Sequence, residues 1–277
     1  MKFSIVIPTY NHCEDLLKPC VESLLRYTDF SDTELIVSMN GCRDNTIDYL
    51  KYVSSVFHLW NIPDHFVVKI NNQPLGYAGA CNVGIQQARG DKIVLLNNDA
   101  VLLDQSRNAW LDILDRPFQE EDCGISCIIK SHSEATGRDF AVFFCVAIRK
   151  QVFTKIGLLD TSYEVGGGED MAFCFEAEKA GFKIVEVFDK FYDGRQYTGN
   201  FPIWHKGEGT VHDSKIVTDW KGQFRKNLLK VAKKYNLERY KFLLSNDYER
   251  AVFLKGDPVF QREAARYRWA AENMAGA

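Results

Sequence analysis

The chain has 277 residues, 46% of them hydrophobic and 26% charged, with a formal net charge of -3. Such a chain can bury a large core, which excludes a disordered, fibrous or small disulfide-stapled protein. The nearly balanced charge excludes a general polyanion binder, and no nucleic-acid partner is expected.

The first hundred residues alternate strand and helix signals. Phe3 to Ile7 is a short apolar run closed by Pro8. Leu16, Leu17, Val21, Leu24 and Leu25 then recur at helical spacing. Glu34 to Met39 predicts a second strand stopped by Asn40-Gly41, and a helix is predicted from Asp44. Phe66 to Ile70 predicts a third strand, Gly76 to Ala88 a glycine-tolerant helix and Ile93 to Leu96 a fourth strand. Short apolar strands separated by helices predict an α/β fold with a mainly parallel central sheet flanked by helices. Ligands of such sheets gather beyond the carboxyl ends of the strands. The residues there, Pro8-Thr9-Tyr10-Asn11, Asn40-Gly41, Asn71-Asn72 and Asn97-Asn98-Asp99, are polar and turn-like.

The second half is less regular. Gly124 to Ile129, Phe140 to Ile148 and Phe182 to Val187 read as strands, and Glu169 to Ala180 as a helix. Asp189 to Asp213, rich in aromatics and glycines, reads as a long ordered loop or lid. From Trp220 the chain turns helical, with Trp220, Phe224, Leu228, Val231 and Tyr235 near one face. The division expected is a catalytic domain over 1–215 and a C-terminal helical region over 216–277, packed on or beside it. Arg225, Lys226, Lys230, Lys233, Lys234, Arg239 and Lys241 place positive charge beside that apolar face. This leaves two readings open, a solvated basic side or peripheral contact with anionic lipid. None of the eight cysteines forms a C-x-x-C pair, which fits reduced, mostly buried thiols. The start runs straight into a strand and no segment reaches transmembrane length, so a cytoplasmic protein is expected, with contact at the inner membrane face left open.

Three segments carry candidate chemistry. Asp99, after a buried strand, can hold a hard cation if phosphate oxygens, water or a second side chain complete the shell, or it can simply close a turn. Gly166-Gly167-Gly168 precede Glu169-Asp170 at a helix start, where orphan amides favour a charged carboxylate fit for a general base; helix capping is the alternative. His205 and His212 lie in a glycine-containing stretch and read as ligands, acid/base groups or surface residues. Gly76, Gly79 and Gly84 do not form a dinucleotide fingerprint, and there is no P-loop.

Taken in order, these segments resemble the inverting nucleotide-sugar glycosyltransferases of family 2, which have the GT-A fold. The resemblance runs from Val6-Ile7-Pro8-Thr9-Tyr10-Asn11 through Glu34 to Val37, Gly76 to Gly84, Ala88 to Asp91 and Leu95 to Ala100. It continues through Phe153 to Asp160, Gly168-Glu169-Asp170, and His205 with Gly209-Thr210. It is nearest to the bacterial polysaccharide-building, rhamnosyltransferase-like branch. The resemblance implies that Pro8, Thr9 and Asn11 line the nucleotide pocket and that Gly76, Ala80 and Asn82 shape the floor under ribose and diphosphate. Asn97-Asn98-Asp99 takes the place of the family's D-x-D segment, so Asp99 would hold Mn2+ or Mg2+, with His205 as a further ligand. Asp170 would be the catalytic base, and Glu169 would touch the acceptor.

Three positions depart from the family pattern. Asn97 replaces the first D-x-D aspartate, Met39 replaces the base-reading aspartate, and Ala172 replaces an acidic residue after the E-D pair. At the base, the substitute acceptor is either the Asn40 amide oxygen or the backbone, unless Met39 is a buried strand residue and the base-reading position lies one residue away. The implied reaction takes a nucleotide-sugar donor and transfers its sugar, with inversion, to a hydroxyl of a glycan or lipid-linked acceptor. Tyr163, Phe191, Tyr192, Tyr197, Phe201 and Trp204 are aromatics that could stack on an acceptor sugar. A sugar-phosphate nucleotidyltransferase is the enzymatic alternative, and a non-catalytic nucleotide-sugar-binding module is the other.

Overall fold

The computed structural model describes residues 1–133, 135–187, 201–207 and 219–245. The elements follow in order: β1 (Phe3–Thr9), α1 (Lys18–Tyr27, entered through a π-type turn at Cys13–Leu17), β2 (Thr33–Asn40), α2 (Thr46–Leu59), β3 (Phe66–Asn71), α3 (Gly76–Ile85) and β4 (Lys92–Leu96). Then come β5 (Ala100–Leu102), α4 (Ala109–Asp115), β6 (Cys123–Cys127), β7 (Lys130–Ser133), β8 (Arg138–Ala141), β9 (Cys145–Arg149), α5 (Lys150–Ile156), α6 (Glu169–Lys179), β10 (Lys183–Glu186), β11 (Ile203–His205), α7 (Trp220–Tyr235) and α8 (Leu237–Ser245).

Seven strands form the main sheet in the order β10-β6-β9-β4-β1-β2-β3. All its pairings are parallel except those of β9, which runs against both β4 and β6. Side chains alternate across a strand, and here they feed two cores. Phe3, Ile5, Ile7, Val94 and Leu96 face the core built with α1, α2 and α4, whereas Val6, Ile93 and Leu95 face the one built with α3, α5 and α6. Contact on the second face is close: a Cβ on Gly84 of α3 would lie 2.3 Å from Val6 Cγ1 of β1.

The expected strand from Phe140 to Ile148 is two strands. Arg138–Ala141 pairs with β7, Cys145–Arg149 joins the main sheet, and residues 142–144 cross between them. All of this stretch is apolar because both halves and the crossing are mostly buried, so period-two alternation does not mark the break. The expected loop from Asp189 to Asp213 contains a strand, β11, which pairs antiparallel with β5. Residues 189–200 and 208–213 of that loop lie outside the described residues, and with them Phe191, Tyr192, Tyr197, Gly209, Thr210 and His212.

Helix α7 buries Leu228, Val231 and Ala232 in the second core, with Phe224 and Tyr235 packed at its margin. Part of its positive charge is engaged on the body of the molecule. Lys234 pairs with Glu176 at 3.1 Å, and Lys230 sits 4.6 Å above the Tyr163 ring and donates to Ser162 Oγ. Among the described residues no helix is long and apolar enough to cross a membrane.

Candidate active site

The carboxyl ends of β1, β2 and β4 bring the polar segments together. Thr9 Oγ1 accepts from Asn98 Nδ2 at 3.0 Å, tying the end of β1 to the turn after β4. Asn11 adopts a left-handed conformation, and its Oδ1 accepts from the Arg43 amide at 2.8 Å. Pro8 is buried within β1, in register with Ser38 of β2. The Asn98–Thr9 and Arg43–Asn11 bonds stitch the loops at this edge to one another.

Asn40 and Asn82 have their amides committed to backbone. Asn40 Nδ2 donates to the Gly76 carbonyl at 3.3 Å, and its Oδ1 accepts from Leu75 N at 2.7 Å. It therefore fixes the start of α3. Asn82 grips Leu159 twice, donating from Nδ2 to the carbonyl at 2.8 Å and accepting at Oδ1 from the amide at 3.0 Å. Ala80 is fully buried. Met39 is 4% exposed and faces the first core.

Past β4 the chain makes the first acidic station. Asp99 is 5% exposed, and its Oδ1 stands 3.2 Å from His205 Nε2. The β5–β11 ribbon creates this pairing, because it sets His205 opposite Ala100. The Asp99 carbonyl also accepts from Lys206 N at 3.0 Å. His205 stacks on Phe144 with ring centroids 4.1 Å apart and planes within 9°, and its Nδ1 has no hydrogen-bond partner among the described residues. Asn97 Oδ1, also buried without a hydrogen-bond partner, is close by in sequence. One carboxylate, one imidazole and an amide oxygen suit a divalent cation whose remaining ligands are phosphate oxygens or water. Among the described residues no group of three or more acidic, histidine or cysteine side chains is set to hold a metal by itself.

The second station is the start of α6. Residues 165 to 168 all have positive φ: Val165 at 67°, Gly166 at 150°, Gly167 at 89° and Gly168 at 107°. Gly168 is the N-cap, and a Cβ there would meet Tyr163 and Val231 at 3.1 Å. Only glycine combines that backbone with that space. Glu169 is 5% exposed with Oε2 unpaired, whereas Asp170 is half-buried and its Oδ1 accepts from Met171 N at 2.8 Å. Burial pushes both carboxyls above the usual range, and the charge of Asp170 pushes Glu169 further. The helix-start amides of Met171 and Gly168 pull Asp170 back down. Asp170 is the member of the pair that reaches solvent.

The two stations are joined by residues 142–144. Phe144 underlies His205 and accepts from Asn97 N at 2.8 Å through its carbonyl. Next to it, the Phe143 carbonyl accepts from the Tyr77 hydroxyl at 2.6 Å. Tyr77 N in turn donates to the Val165 carbonyl at 3.2 Å, at the glycine turn. Tyr77 and Phe143-Phe144 were not singled out in the sequence. The break in the apolar run from 140 to 148 leaves no periodic signal, and a tyrosine in a glycine-rich helix reads as packing. Of the described aromatics offered for sugar stacking, Tyr163 and Phe201 are buried in the body, and Trp204 is half-buried on β11.

This arrangement is that of a GT-A glycosyltransferase fold. Residues 4–127 match the model of glycosyl transferase family 2. It is 20% identical to glycosyltransferase GlyA of Streptococcus pneumoniae over 78% of this chain and 28% of the relative. It is 26% identical to the O-antigen biosynthesis protein RfbC of Myxococcus xanthus over 66% of this chain and 16% of the relative. A third relative is the GalNAc(5)-diNAcBac-PP-undecaprenol beta-1,3-glucosyltransferase of Campylobacter jejuni, 33% identical over 37% of this chain and 31% of the relative. The chain thus spans less than a third of each of these proteins. The fold is shared with a mannosyltransferase of Pyrobaculum calidifontis in complex with GDP-Man and Mn2+ (TM-score 0.56, 14% identity, 99% of this chain and 87% of that one). It is shared also with GalNAc-T7 bound to UDP, GalNAc and Mn2+ (TM-score 0.62, 17% identity, 99% and 57%).

Proposed function

We propose that the chain is an inverting, divalent-cation-dependent glycosyltransferase that moves a sugar from a nucleoside-diphosphate sugar to a hydroxyl of a glycan or lipid-linked acceptor. The observation that carries the reading is the linkage of two acidic stations at one edge of the sheet: Asp99 with His205, and Asp170 on the glycine turn, joined through Phe144, Phe143 and Tyr77. The relatives' names, an O-antigen biosynthesis protein and an undecaprenol-linked glucosyltransferase, support a polysaccharide-type acceptor.

In this mechanism Asp170 takes the proton of the acceptor hydroxyl. The acceptor oxygen then bonds to the anomeric carbon as the bond from that carbon to the diphosphate oxygen breaks. Attack and departure occur on opposite faces, so the anomeric configuration inverts. Asp99 and His205 would hold Mn2+ or Mg2+, and the amide oxygen of Asn97, two residues before Asp99, would be a further ligand. The cation, when bound, supplies positive charge to the departing diphosphate. Thr9, Asn11, Asn40 and Asn98 keep the nucleotide pocket in shape through their mutual ties. Burial and the neighbouring Asp170 charge favour the protonated form of Glu169, which keeps a second negative charge out of the site. Its protonated form also leaves an O–H for an acceptor oxygen.

Division into a catalytic domain over 1–215 and a helical region over 216–277 belongs to the same proposal, as does the cytoplasmic setting. The test is a panel of nucleotide sugars with Mn2+ and glycan or lipid-linked acceptors, read by release of nucleoside diphosphate. Acceptor-dependent release that Asp170→Asn abolishes supports the reading. Formation of a nucleotide sugar from a triphosphate and a sugar phosphate would replace it with nucleotidyl transfer, and binding without turnover would replace it with a binding module.

A further inference from the structure

The turn that presents Asp170 has little of its own to hold it. Three successive glycines carry the largest backbone entropy to be lost on ordering and no side chains to anchor. Their conformation is set from outside, through the carbonyls of the residues just before the helix. On one side, Tyr77 N of α3 donates to the Val165 carbonyl at 3.2 Å. On the other, Asn227 of α7 donates from Nδ2 to the carbonyls of Glu164 at 3.1 Å and Gly166 at 3.0 Å. Asn227 is 3% exposed and lies in the buried stripe of α7 between Phe224 and Val231, where its neighbours are apolar. Its Oδ1 accepts from Gln223 Nε2 at 3.3 Å, which orients the amide so that the NH2 end faces the turn.

A buried amide on an apolar helix face is costly unless its partners repay it. Here the partners are the two carbonyls flanking Val165, a non-glycine residue held at positive φ. Carbonyl orientation sets the orientation of the next N–H in each peptide plane. The Gly166 carbonyl shares its plane with the Gly167 N–H, which is aimed at Glu169, and the next amide of the same turn, that of Gly168, is aimed at Asp170.

We propose that Asn227 is a positioning residue of the transfer reaction: by clamping the Glu164 and Gly166 carbonyls it sets where the Asp170 carboxylate stands. The C-terminal helix is then part of the transfer machinery. This rests on Asp170 being the base.

Titratable groups facing the pair are Tyr77 and Cys81 from α3, Tyr163 from the turn and Cys174 within α6, all pushed up by burial and neutral where the carboxylates titrate. These four groups therefore add no acid limb of their own to that of the carboxylates.

The experiment compares Asn227→Asp and Asn227→Ser with Leu228→Ala, a core truncation one residue along the same helix. Each is assayed in the full chain for Tm, kcat, donor KM and the pH profile of kcat. Asn227→Asp keeps the size and loses both donors, so kcat should fall roughly 10–10²-fold with donor KM little changed. Its acid limb should move to higher pH, because the turn's amides no longer support the ionised form. Asn227→Ser keeps one donor and should fall between; it carries the test alone if the Asp variant does not fold. Leu228→Ala should lower Tm while keeping the wild-type acid limb and most of kcat. The proposal is overturned if a folded Asn227 variant keeps wild-type kcat and acid limb, or if Leu228→Ala reproduces both changes. If Asp170→Asn itself retains turnover, the base assignment fails instead, whatever the Asn227 variants do.

Discussion

Replacing Asp170 by asparagine removes the ability to accept a proton while preserving the shape of the helix start. The asparagine Oδ1 can still accept from Met171 N, as Asp170 Oδ1 does at 2.8 Å. Burial opposes the charge of Asp170, so the neutral amide should leave the fold at neutral pH at least as stable as wild type. The loss should therefore appear in catalysis alone. A positioned general base contributes roughly 10²–10⁴-fold, which at about 1.4 kcal/mol per tenfold is about 3–5 kcal/mol of the barrier. The assay is acceptor-dependent release of nucleoside diphosphate, with donor KM followed in parallel. The wild-type rate should rise with pH as Asp170 ionises, above the ordinary carboxylate range, and the residual rate of the variant should lack that limb. Near-wild-type turnover by folded Asp170→Asn would refute the reasoning.

Other outcomes follow from the same site. The raised Glu169 carboxyl contributes stability that is fully present below its ordinary value and is lost as pH rises through its folded value. Glu169→Gln should therefore gain Tm over wild type progressively from acid to alkaline pH; a constant or reversed difference by thermal unfolding would contradict this. Asp99→Ala should abolish the Mn2+ dependence of nucleoside-diphosphate binding in calorimetry, and His205→Ala should weaken it. A metal-loaded complex with the ion away from both would exclude the pair. Met39→Asp places a carboxylate in the first core and should destabilise by at least about 3 kcal/mol rather than alter base preference. An undiminished Tm with a new nucleotide selectivity would show that Met39 faces the pocket.

Much of the framework was legible because strand periodicity and turn chemistry are local. The first four strands and their helices fall where the apolar runs place them, and the polar residues after them gather at one edge. The Glu169-Asp170 pair was visible as three glycines before an acidic helix start. What escaped depends on long-range pairing. The resemblance implied that Asp99 and His205 share a cation, but the strand pairing that joins them, the return of β11 to β5, was not visible, because three residues of strand inside an aromatic loop carry too little pattern to detect. Asn40 and Asn82 have the composition of ligand-binding residues, yet their amides hold Leu75, Gly76 and Leu159. Nothing in a sequence distinguishes an asparagine that binds a ligand from one that binds backbone. Asn227 did leave a trace, as a polar residue in the apolar stripe of α7, but its meaning required the turn it clamps.

The central claim is a single displacement at the anomeric carbon with Asp170 as the base. The most direct measurement is proton NMR of the product formed from the donor and acceptor that turn over fastest, reading the anomeric configuration of the new linkage against that of the donor. The account predicts the opposite configuration, formed at a rate that depends on Asp170. Retention of the donor's configuration would contradict it.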